Sequence, residues 1–360
     1  MAAPAPGPLP GVLVIGAGLA GSLLALALRE RNQAVTLLDQ GLGLSAGAAP
    51  SATALSYGVV PGWPLAPTPL SRLAARAAGR WRGLEQRHGA LGWQPARLAA
   101  LPPLPVSRVD GARLAECLPQ ALAAAGVDRR RGLALGLQRS GSLWQLDLQE
   151  GPPLQAAQVV LAAGSGCRAL WPGLPGRLRT SWAGVLQLEQ RPPELAADQL
   201  RLPLHFQRLA LERRAPQVQA RAWVVDPGLV PRGPGALAGQ LTLVAPDGDQ
   251  GEPDPGWMEQ RLRESLAPLG LDRALQQARF HQTPVSFCAE GSPLAGPLPG
   301  APGLWVFTGF SGGFAQVPVL APLLAEALAP LPAEPPEAAR RRLRQLGVWP
   351  QEPPGADRGA

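Results

Sequence analysis

Hydrophobic and polar residues follow two different patterns along this chain, and the patterns divide it into regions. Short apolar runs that end in small residues occur at 12–15, 158–166 and 304–308, as is typical of strands buried on both faces. Between residues 180 and 245, apolar and polar residues instead alternate between Pro, Gly and Asp. That alternation predicts a mostly antiparallel sheet with one covered face. We therefore expect an α/β chain with two interleaved domains.

Other segments have the composition and spacing of helices or of a hairpin. The predicted helices cover residues 22–31, 69–88, 113–125, 256–269, 319–329 and 336–346. Pro119 is expected to interrupt or bound the third of them. Residues 132–138 and 143–148 flank Ser140 and Gly141 and predict a hairpin, while the alternating segment 202–214 is assigned to the antiparallel sheet.

The first apolar run stops at a glycine turn. Gly16, Gly18 and Gly21 have the spacing that joins a strand to a helix beneath a bound pyrophosphate. Asp39 ends the next predicted strand, 34–38, at 23 positions after Gly16, where an acidic residue can bind a ribose hydroxyl. The motif predicts a dinucleotide site and disfavours NADP, whose 2′-phosphate an acidic residue repels. A glycine turn without a nucleotide is the alternative.

Composition narrows the possible partners. The chain has 360 residues, 46% of them hydrophobic, which is enough for two domains with a large core. Its net charge is +7 and its pI about 10.8, but it contains no Lys and all 33 basic residues are Arg. These arginines are scattered, and the runs 129–131 and 340–342 are interpreted as a solvated turn or helix face. No nucleic-acid partner is expected.

Cysteine, histidine and hydropathy exclude several classes of protein. Three separated Cys residues favour a reducing compartment over a disulfide framework, and three isolated His residues predict no metal site. Without a convincing signal peptide or an apolar run of about 18 residues, we expect a cytoplasmic chain with no membrane span.

Three glycine-bearing strand ends, VLVIGAGLAG, VVLAAGSG and LWVFTGFSGG, together resemble the D-amino-acid oxidase-like superfamily of FAD-dependent oxidoreductases, which includes glycine oxidase and sarcosine oxidase. The segment GSPLAG at 291–296 resembles the family's D-G-x-P-x-x-G segment, and the resemblance covers about residues 11–330. It implies non-covalent FAD. The residues implied to bind it are Gly16, Ala17, Gly18, Gly21, Asp39, Gln40, Ser51, Ala52, Thr53, Gly58, Ala162, Ala163, Gly164, Gly309, Phe310, Ser311, Gly312, Gly313, Phe314, Ala315 and Gln316.

The resemblance also implies how the domains divide. A Rossmann-like FAD-binding domain is expected at 1–80, 109–172 and 290–346, interleaved with a mostly antiparallel-sheet substrate domain at 81–108 and 173–289. A disordered tail is expected at 347–360. A helix N-terminus near Val317 would direct its positive end at the flavin.

The chain departs from the family at positions that matter for substrate. Where amino-acid oxidases of the family carry a carboxylate-binding Arg, ungapped alignment places Val285 and a shifted one Gln282; Arg221 or Arg232 could replace it. No Lys is available for oxygen activation. Thr283 rather than Cys occupies the position of covalent flavin attachment.

The expected function is oxidation of a C–N bond in an amine or amino-acid-like small molecule, by hydride transfer to flavin N5. The electron acceptor is O2 or an unidentified carrier. Tyr57, His205 and His281 are the candidate catalytic residues. The alternatives are a monooxygenase-like flavoprotein, a domain of the tRNA-modification type, and a member that binds FAD without turnover.

Overall fold

The computed structural model describes residues 7–41, 51–99, 104–203, 205–246, 251–270, 272–289, 292–332 and 334–350. Its strands, in chain order, are β1 Leu9–Ile15, β2 Val35–Asp39, β3 Val59–Pro61, β4 Trp93–Leu98, β5 Val106–Val109, β6 Asp128–Arg131, β7 Ala134–Ser140, β8 Leu143–Leu148, β9 Leu154–Leu161, β10 Leu178–Leu188, β11 Gln199–Leu200, β12 Ala222–Arg232, β13 Gly235–Val244, β14 Arg279–Cys288, β15 Leu294–Pro297 and β16 Leu304–Thr308. Its helices are α1 Leu19–Arg29, α2 Pro69–Ala74, α3 Ala77–His88, α4 Gly111–Ala124, α5 Cys167–Leu170, α6 Gln207–Arg214, α7 Pro255–Leu266, α8 Asp272–Gln276, α9 Gly313–Leu328 and α10 Pro336–Gln345.

The first sheet is built around the predicted apolar strands. Its order is β15-β16-β9-β1-β2-β6, with the β7–β8 hairpin attached to β9, and the pairs from β16 to β6 are all parallel. Val12 and Val14 face a core shared with α1 and α9, while Leu13 and Ile15 face a second core against the hairpin. Each strand is thus apolar on both faces, which explains its continuous hydrophobic run.

The second region has two smaller sheets. The antiparallel order β12-β13-β10-β14 matches the alternating pattern, and α7 covers one face through Met258, Leu262 and Leu266. Its opposite face packs against the sheet β11-β4-β5-β3, with Tyr57 and Val106 in the shared core. The mixed α/β fold class expected from the sequence is confirmed, with its parallel and antiparallel sheets.

Helix α9 begins six residues before the predicted start at residue 319, so its N-terminus is not near Val317. Pro318 explains why the predicted start is late, because a proline inside a helix lacks the N–H that bonds four residues back. The carbonyl of Phe314, which residue 318 would normally bond, instead accepts the indole N–H of Trp81 at 2.8 Å. Trp81 is fully buried and stacks on Phe314.

Four further predictions need correction. Residues 69–88 form two helices, α2 and α3, since Arg76 N–H donates to Leu73 three residues back and tightens the turn. Helix α4 continues through Pro119. The arginine run 129–131 lies in β6, an edge strand, whose exposed side chains discourage further pairing. Residues 207–214 form a helix, α6, instead of a strand.

The predicted disordered tail begins too early. Val348 is fully buried, its carbonyl accepts the N–H of Ala295, and Trp349 contacts Trp305 edge to face. Residues 347–350 therefore pack against β15 and β16. Residues 351–360 lie outside the described part of the chain.

Candidate active site

The three glycine loops meet at one edge of the parallel sheet. Gly16 N–H donates to Leu38 O at 2.8 Å, and Ala162 N–H donates to Ile15 O at 2.9 Å, so the ends of β2, β1 and β9 lie side by side. Strand β16 runs parallel to β9 and brings its own glycine loop to the same edge. Ligands of open α/β sheets bind at this carboxyl edge.

The three glycines of the first loop have different surroundings. Gly16 has φ +104°, and a Cβ there would lie 2.6 Å from Ala162 O. A Cβ on Gly21 would collide with the carbonyl of Gly16. At Gly18, by contrast, a Cβ would meet only Thr53 Oγ1, at 3.7 Å. Gly21 thus lets α1 pack closely on β1, and Gly16 lets the turn lie against the end of β9. Gly18 leaves open space beside the first turn of α1, where N–H groups lack intrahelical partners.

Residues 51–58 fold over the start of α1. Thr53 Oγ1 accepts the N–H of Leu19 at 3.2 Å, and Ser51 Oγ accepts that of Ala54 at 3.3 Å. Gly58 has φ +68° and lies against the carbonyl of Val109, where no side chain fits. Ser51, Ala52 and Thr53 remain partly exposed beside the first glycine turn, as the resemblance implies for a segment near a pyrophosphate.

A shallow cleft opens beside Asp39 at the end of β2. It is lined by Ala17, Ser22, Asp39, Leu118, Pro119, Leu122 and Arg129. Helix α4 and β6 contribute residues that the glycine spacing could not reveal, because they follow Asp39 by about 80 positions. Gln40 is exposed next to the cleft. A carboxylate at the edge of a half-apolar cleft fits the ribose and adenine of a dinucleotide.

The loop after β9 also leaves backbone uncovered. Gly164 has φ +57°, and a Cβ there would meet nothing within 4 Å. Its carbonyl accepts the hydroxyl of Thr308 at 3.5 Å, and that hydroxyl also bonds Ser286 at 3.1 Å. Ala162 and Ala163 precede it at the sheet edge, so this loop and the end of β16 are held together.

The last loop, 309–316, passes into α9. Gly309 has φ +82° and lies against the Sγ of Cys288, which is buried. A Cβ added to Gly313 would lie 3.5 Å from Leu19 Cδ2, so the N-termini of α1 and α9 are neighbours. The side chains of Phe314 and Ala315 are buried in the core. Only their backbone is available to a ligand.

Gly312 and Gln316 close the start of α9. Gly312 N–H donates to the Gln316 side-chain oxygen at 3.4 Å, and Gln316 N–H donates to Gly312 O at 2.9 Å. A Cβ on Gly312 would meet nothing nearer than 3.9 Å. Phe310 contacts Phe307 edge to face, and the carbonyl of Ser311 accepts a hydrogen bond from Arg208 of α6. Gly18, Gly164 and Gly312 each have open space where a side chain would lie, so a ligand can approach their backbone. One glycine in each of the three loops therefore fits contact with an extended dinucleotide such as FAD.

A buried polar cluster, formed by Tyr57, Arg208, Glu212, Asp226 and Ser311, joins the antiparallel sheet to this last loop. Arg208 Nη2 donates to Ser311 O at 2.6 Å, and its Nη1 lies 3.5 Å from a Glu212 oxygen. Asp226 accepts the N–H groups of residues 207 and 208, at 2.6 and 3.1 Å, and thereby caps α6. The cluster was not predicted as a unit, because its members come from four separate segments.

Several atoms of the cluster are buried without a hydrogen-bond partner among the described residues. They are the Tyr57 hydroxyl, the Arg208 Nε and both carboxylate oxygens of Glu212. Tyr57 packs so closely on Gly228 that a Cβ there would lie 2.8 Å from the hydroxyl oxygen. Buried polar groups are normally paired, so these atoms are available to a water, an ion or a ligand.

Burial dominates the electrostatics of the cluster. It raises the pKa of Tyr57, with a smaller contribution from Asp226, while Arg208 opposes the shift. Burial likewise raises the pKa of Glu212, against the lowering effects of Arg208 and the nearby Ser311 hydroxyl. It raises the pKa of Asp226 too, opposed by the two capping N–H groups. Carboxyls with perturbed pKa values in one cluster are typical of functional sites.

The other candidates lie elsewhere. His205 is exposed before α6, so the predicted strand position for it is wrong. His281 is half-buried on β14, and its pKa is lowered by burial and by Arg232 and Arg279. Gln282 donates to Glu252 and to the Pro253 carbonyl at 3.0 and 3.1 Å, on the side of the sheet that α7 covers.

Comparison with known families agrees with this geometry. The profile described as "DAO: FAD dependent oxidoreductase" matches residues 11–101 and 105–327, which is well over half of the chain. Curated protein sequences gave no significant match.

Solved structures with the same fold extend over nearly the whole chain. Glycine oxidase from Geobacillus kaustophilus has a TM-score of 0.65 at 17% identity, covering 90% of this chain and 95% of its own. Iminodiacetate oxidase from Chelativorans sp. BNC1 has a TM-score of 0.63 at 18% identity, covering 95% and 100%. L-amino acid deaminase from Proteus vulgaris has a TM-score of 0.63 at 13% identity, covering 93% and 97%.

These identities are low enough that the structures establish the fold alone. The family profile carries more, because it matches both the glycine loops and the intervening sheet. The chain therefore belongs to the DAO family of FAD-dependent oxidoreductases, and its cofactor is FAD.

Proposed function

We propose that this enzyme oxidises a C–N bond of an amine or amino-acid-like small molecule by hydride transfer to N5 of FAD. The observation that carries the proposal is the hydrogen bond from Arg208 to Ser311 O at 2.6 Å. Through this bond, buried polar atoms of α6 that have no partner among the described residues lie next to the last glycine loop. A small polar substrate between them would complete their bonding.

The chain's own residues would divide the work between binding and orientation. We infer that the predicted FAD-binding residues hold the cofactor, with the α1 N-terminus at the pyrophosphate and Asp39 at the ribose. FAD, when bound, would supply the acceptor for the two electrons that leave the substrate as a hydride. The α9 N-terminus would direct its positive end at the charge that develops in the cofactor.

The cluster would position the substrate and keep water away. Tyr57 and Glu212 are 8% and 2% exposed, so a group bound against them is in a dry, low-dielectric site. Hydride transfer from a neutral amine depends mainly on geometry, and Glu212 is placed to hold the proton that the amine loses. Tyr57 would orient the nitrogen through its free hydroxyl.

The remaining assignments follow the sequence. We infer the domain division at 1–80, 109–172 and 290–346 against 81–108 and 173–289, with the C-terminal packing corrected above. Thr283 is buried on β14, which supports non-covalent attachment, since a threonine hydroxyl does not form the thioether linkage. A cytoplasmic location and an acceptor such as O2 are proposed with them. No helix among the described residues has the length and apolar character to span a membrane.

Anaerobic flavin reduction tests the proposal. The purified protein, saturated with FAD, is mixed with pools of amines and amino acids while the visible flavin absorbance is followed. We expect one pool to bleach the flavin and the others to leave it oxidised. Bleaching by NADPH followed by oxygenation of an aromatic pool would contradict C–N oxidation and favour a monooxygenase.

A further inference from the structure

We propose that Arg208 of α6 is a positioning residue for FAD, because its hydrogen bond to the Ser311 carbonyl fixes the direction in which the last glycine loop presents its backbone N–H groups. The inference goes beyond the proposed function, since it concerns how the cofactor is held and not which bond is oxidised. It gives the contact between α6 and this loop a role in FAD affinity and in the flavin reduction potential.

The contact is made on the peptide that joins Ser311 to Gly312. Arg208 Nη2 donates to the Ser311 carbonyl at 2.6 Å, which is short for a bond from a charged donor. A trans peptide is planar, so its carbonyl and the N–H of the next residue point in opposite directions. Holding the carbonyl toward α6 therefore directs the Gly312 N–H away from α6. That N–H donates to Gln316 Oε1 at 3.4 Å, a long bond that an acceptor on the cofactor can replace.

The loop needs a restraint at this point because two glycines follow. Gly312 precedes α9 without a side-chain cap, and neither it nor Gly313 has a side chain that could fix the backbone. Within the described loop, the carbonyl of Gly312 accepts the N–H groups of Ala315 and Gln316 at 3.0 and 2.9 Å. These bonds hold the start of α9 but do not reach the preceding peptide. The guanidinium restrains that peptide from outside the loop.

Helix α6 keeps the guanidinium in a fixed place. Asp226 accepts two N–H groups at the start of the helix, at 2.6 and 3.1 Å, and so anchors its first turn to β12. Leu211 packs in a buried core with β13 and β14. One turn after Arg208, an oxygen of Glu212 lies 3.5 Å from Nη1, and the arginine side chain is only 17% exposed. The planar guanidinium thus contacts its own helix with one nitrogen and the loop with another.

The direction of these N–H groups matters most when the cofactor is reduced. Two-electron reduction places negative charge on the flavin, and N–H groups at a helix N-terminus stabilise such charge. Loss of the restraint on the Ser311 carbonyl should therefore weaken FAD binding. It should also stabilise the reduced flavin less, which makes the reduction potential more negative.

Substitutions at Arg208 test this without any substrate. FAD affinity is measured by fluorescence titration of the apoprotein, and the reduction potential by dithionite titration of the FAD-loaded protein against a reference dye. Arg208→Gln should weaken FAD binding about ten- to a hundredfold, the effect of losing a charged hydrogen bond, and make the potential more negative. Arg208→Lys keeps a charged donor and should restore part of both. The control is Arg213→Gln, at an exposed position of the same helix, which should change neither.

A double variant separates the loop contact from stability. Loss of Arg208 leaves the buried Glu212 carboxyl without the cation beside it, so Arg208→Gln is combined with Glu212→Gln. Thermal unfolding of each apoprotein, followed by circular dichroism, reports folding. We expect the double variant to fold and to keep both defects. Wild-type affinity in it would overturn the inference, and so would weaker binding at an unchanged potential, which is the result of structural support alone. Neither result bears on the proposed C–N oxidation.

Discussion

The indole of Trp81 replaces a backbone hydrogen bond that Pro318 cannot make, and this exchange can be measured. Trp81 is fully buried, and its N–H bonds the Phe314 carbonyl at 2.8 Å. Trp81→Phe leaves that carbonyl buried without a partner, which costs about 1–3 kcal/mol of unfolding free energy beyond the loss of packing. Because Phe314 lies in the first turn of α9, FAD affinity should fall with it.

A second substitution isolates the hydrogen bond from the packing. Pro318→Ala restores an N–H four residues after Phe314, and the Phe314 carbonyl gains most from it when the indole is absent because it then has no other donor. In a double-mutant cycle, Pro318→Ala should therefore stabilise the Trp81→Phe protein by about 1–3 kcal/mol more than it stabilises the wild type. Urea unfolding at fixed FAD, followed by far-ultraviolet circular dichroism, gives the four free energies. Effects that add within about 0.5 kcal/mol would refute the reasoning.

Three further predictions concern the first glycine loop and the buried polar cluster. Gly18→Ala should fold with an unchanged melting temperature in the absence of FAD but bind FAD more weakly in a fluorescence titration. Gly21→Ala should fail to fold, because its Cβ meets the Gly16 carbonyl. Equal behaviour of the two variants would contradict the different roles of the two glycines. Because the pKa of Glu212 is raised in the folded state, folding favours the protonated carboxyl. The free energy of unfolding of the wild type should therefore fall relative to that of Glu212→Gln as pH rises above the ordinary pKa of 4.5. Parallel curves of unfolding free energy against pH would contradict this. Tyr57→Phe removes a buried hydroxyl that has no partner among the described residues, so the apoprotein should be as stable as wild type or more so below pH 10, whereas a loss above about 1 kcal/mol in urea unfolding would contradict this.

The cofactor edge could be predicted because its signals are local. Gly16 is required by the positive φ of a tight turn and Gly21 by the carbonyl of Gly16 five residues back, and such local requirements leave a fixed spacing in the sequence. Asp39 follows from the same unit, because one helix and one strand set its distance. The three strand ends meet because their hydrophobic runs require a sheet covered on both faces.

The substrate side was less predictable, since its residues are specified by tertiary contacts. Residues 207–214 alternate well enough to suggest a strand, but Asp226, on a later strand, caps them as a helix. The Trp81 indole, remote in sequence, similarly permits α9 to begin before Pro318. The Arg208–Glu212 spacing of four residues was the available helical signal.

Product stoichiometry is the most direct test that this enzyme oxidises a C–N bond. The FAD-loaded protein is reduced anaerobically by the amine that bleaches it, and the quenched mixture is assayed for the carbonyl compound that hydrolysis of the imine releases. The account predicts one carbonyl for each flavin reduced, with one equivalent of ammonia or amine. Flavin reduction without a carbonyl product would contradict it.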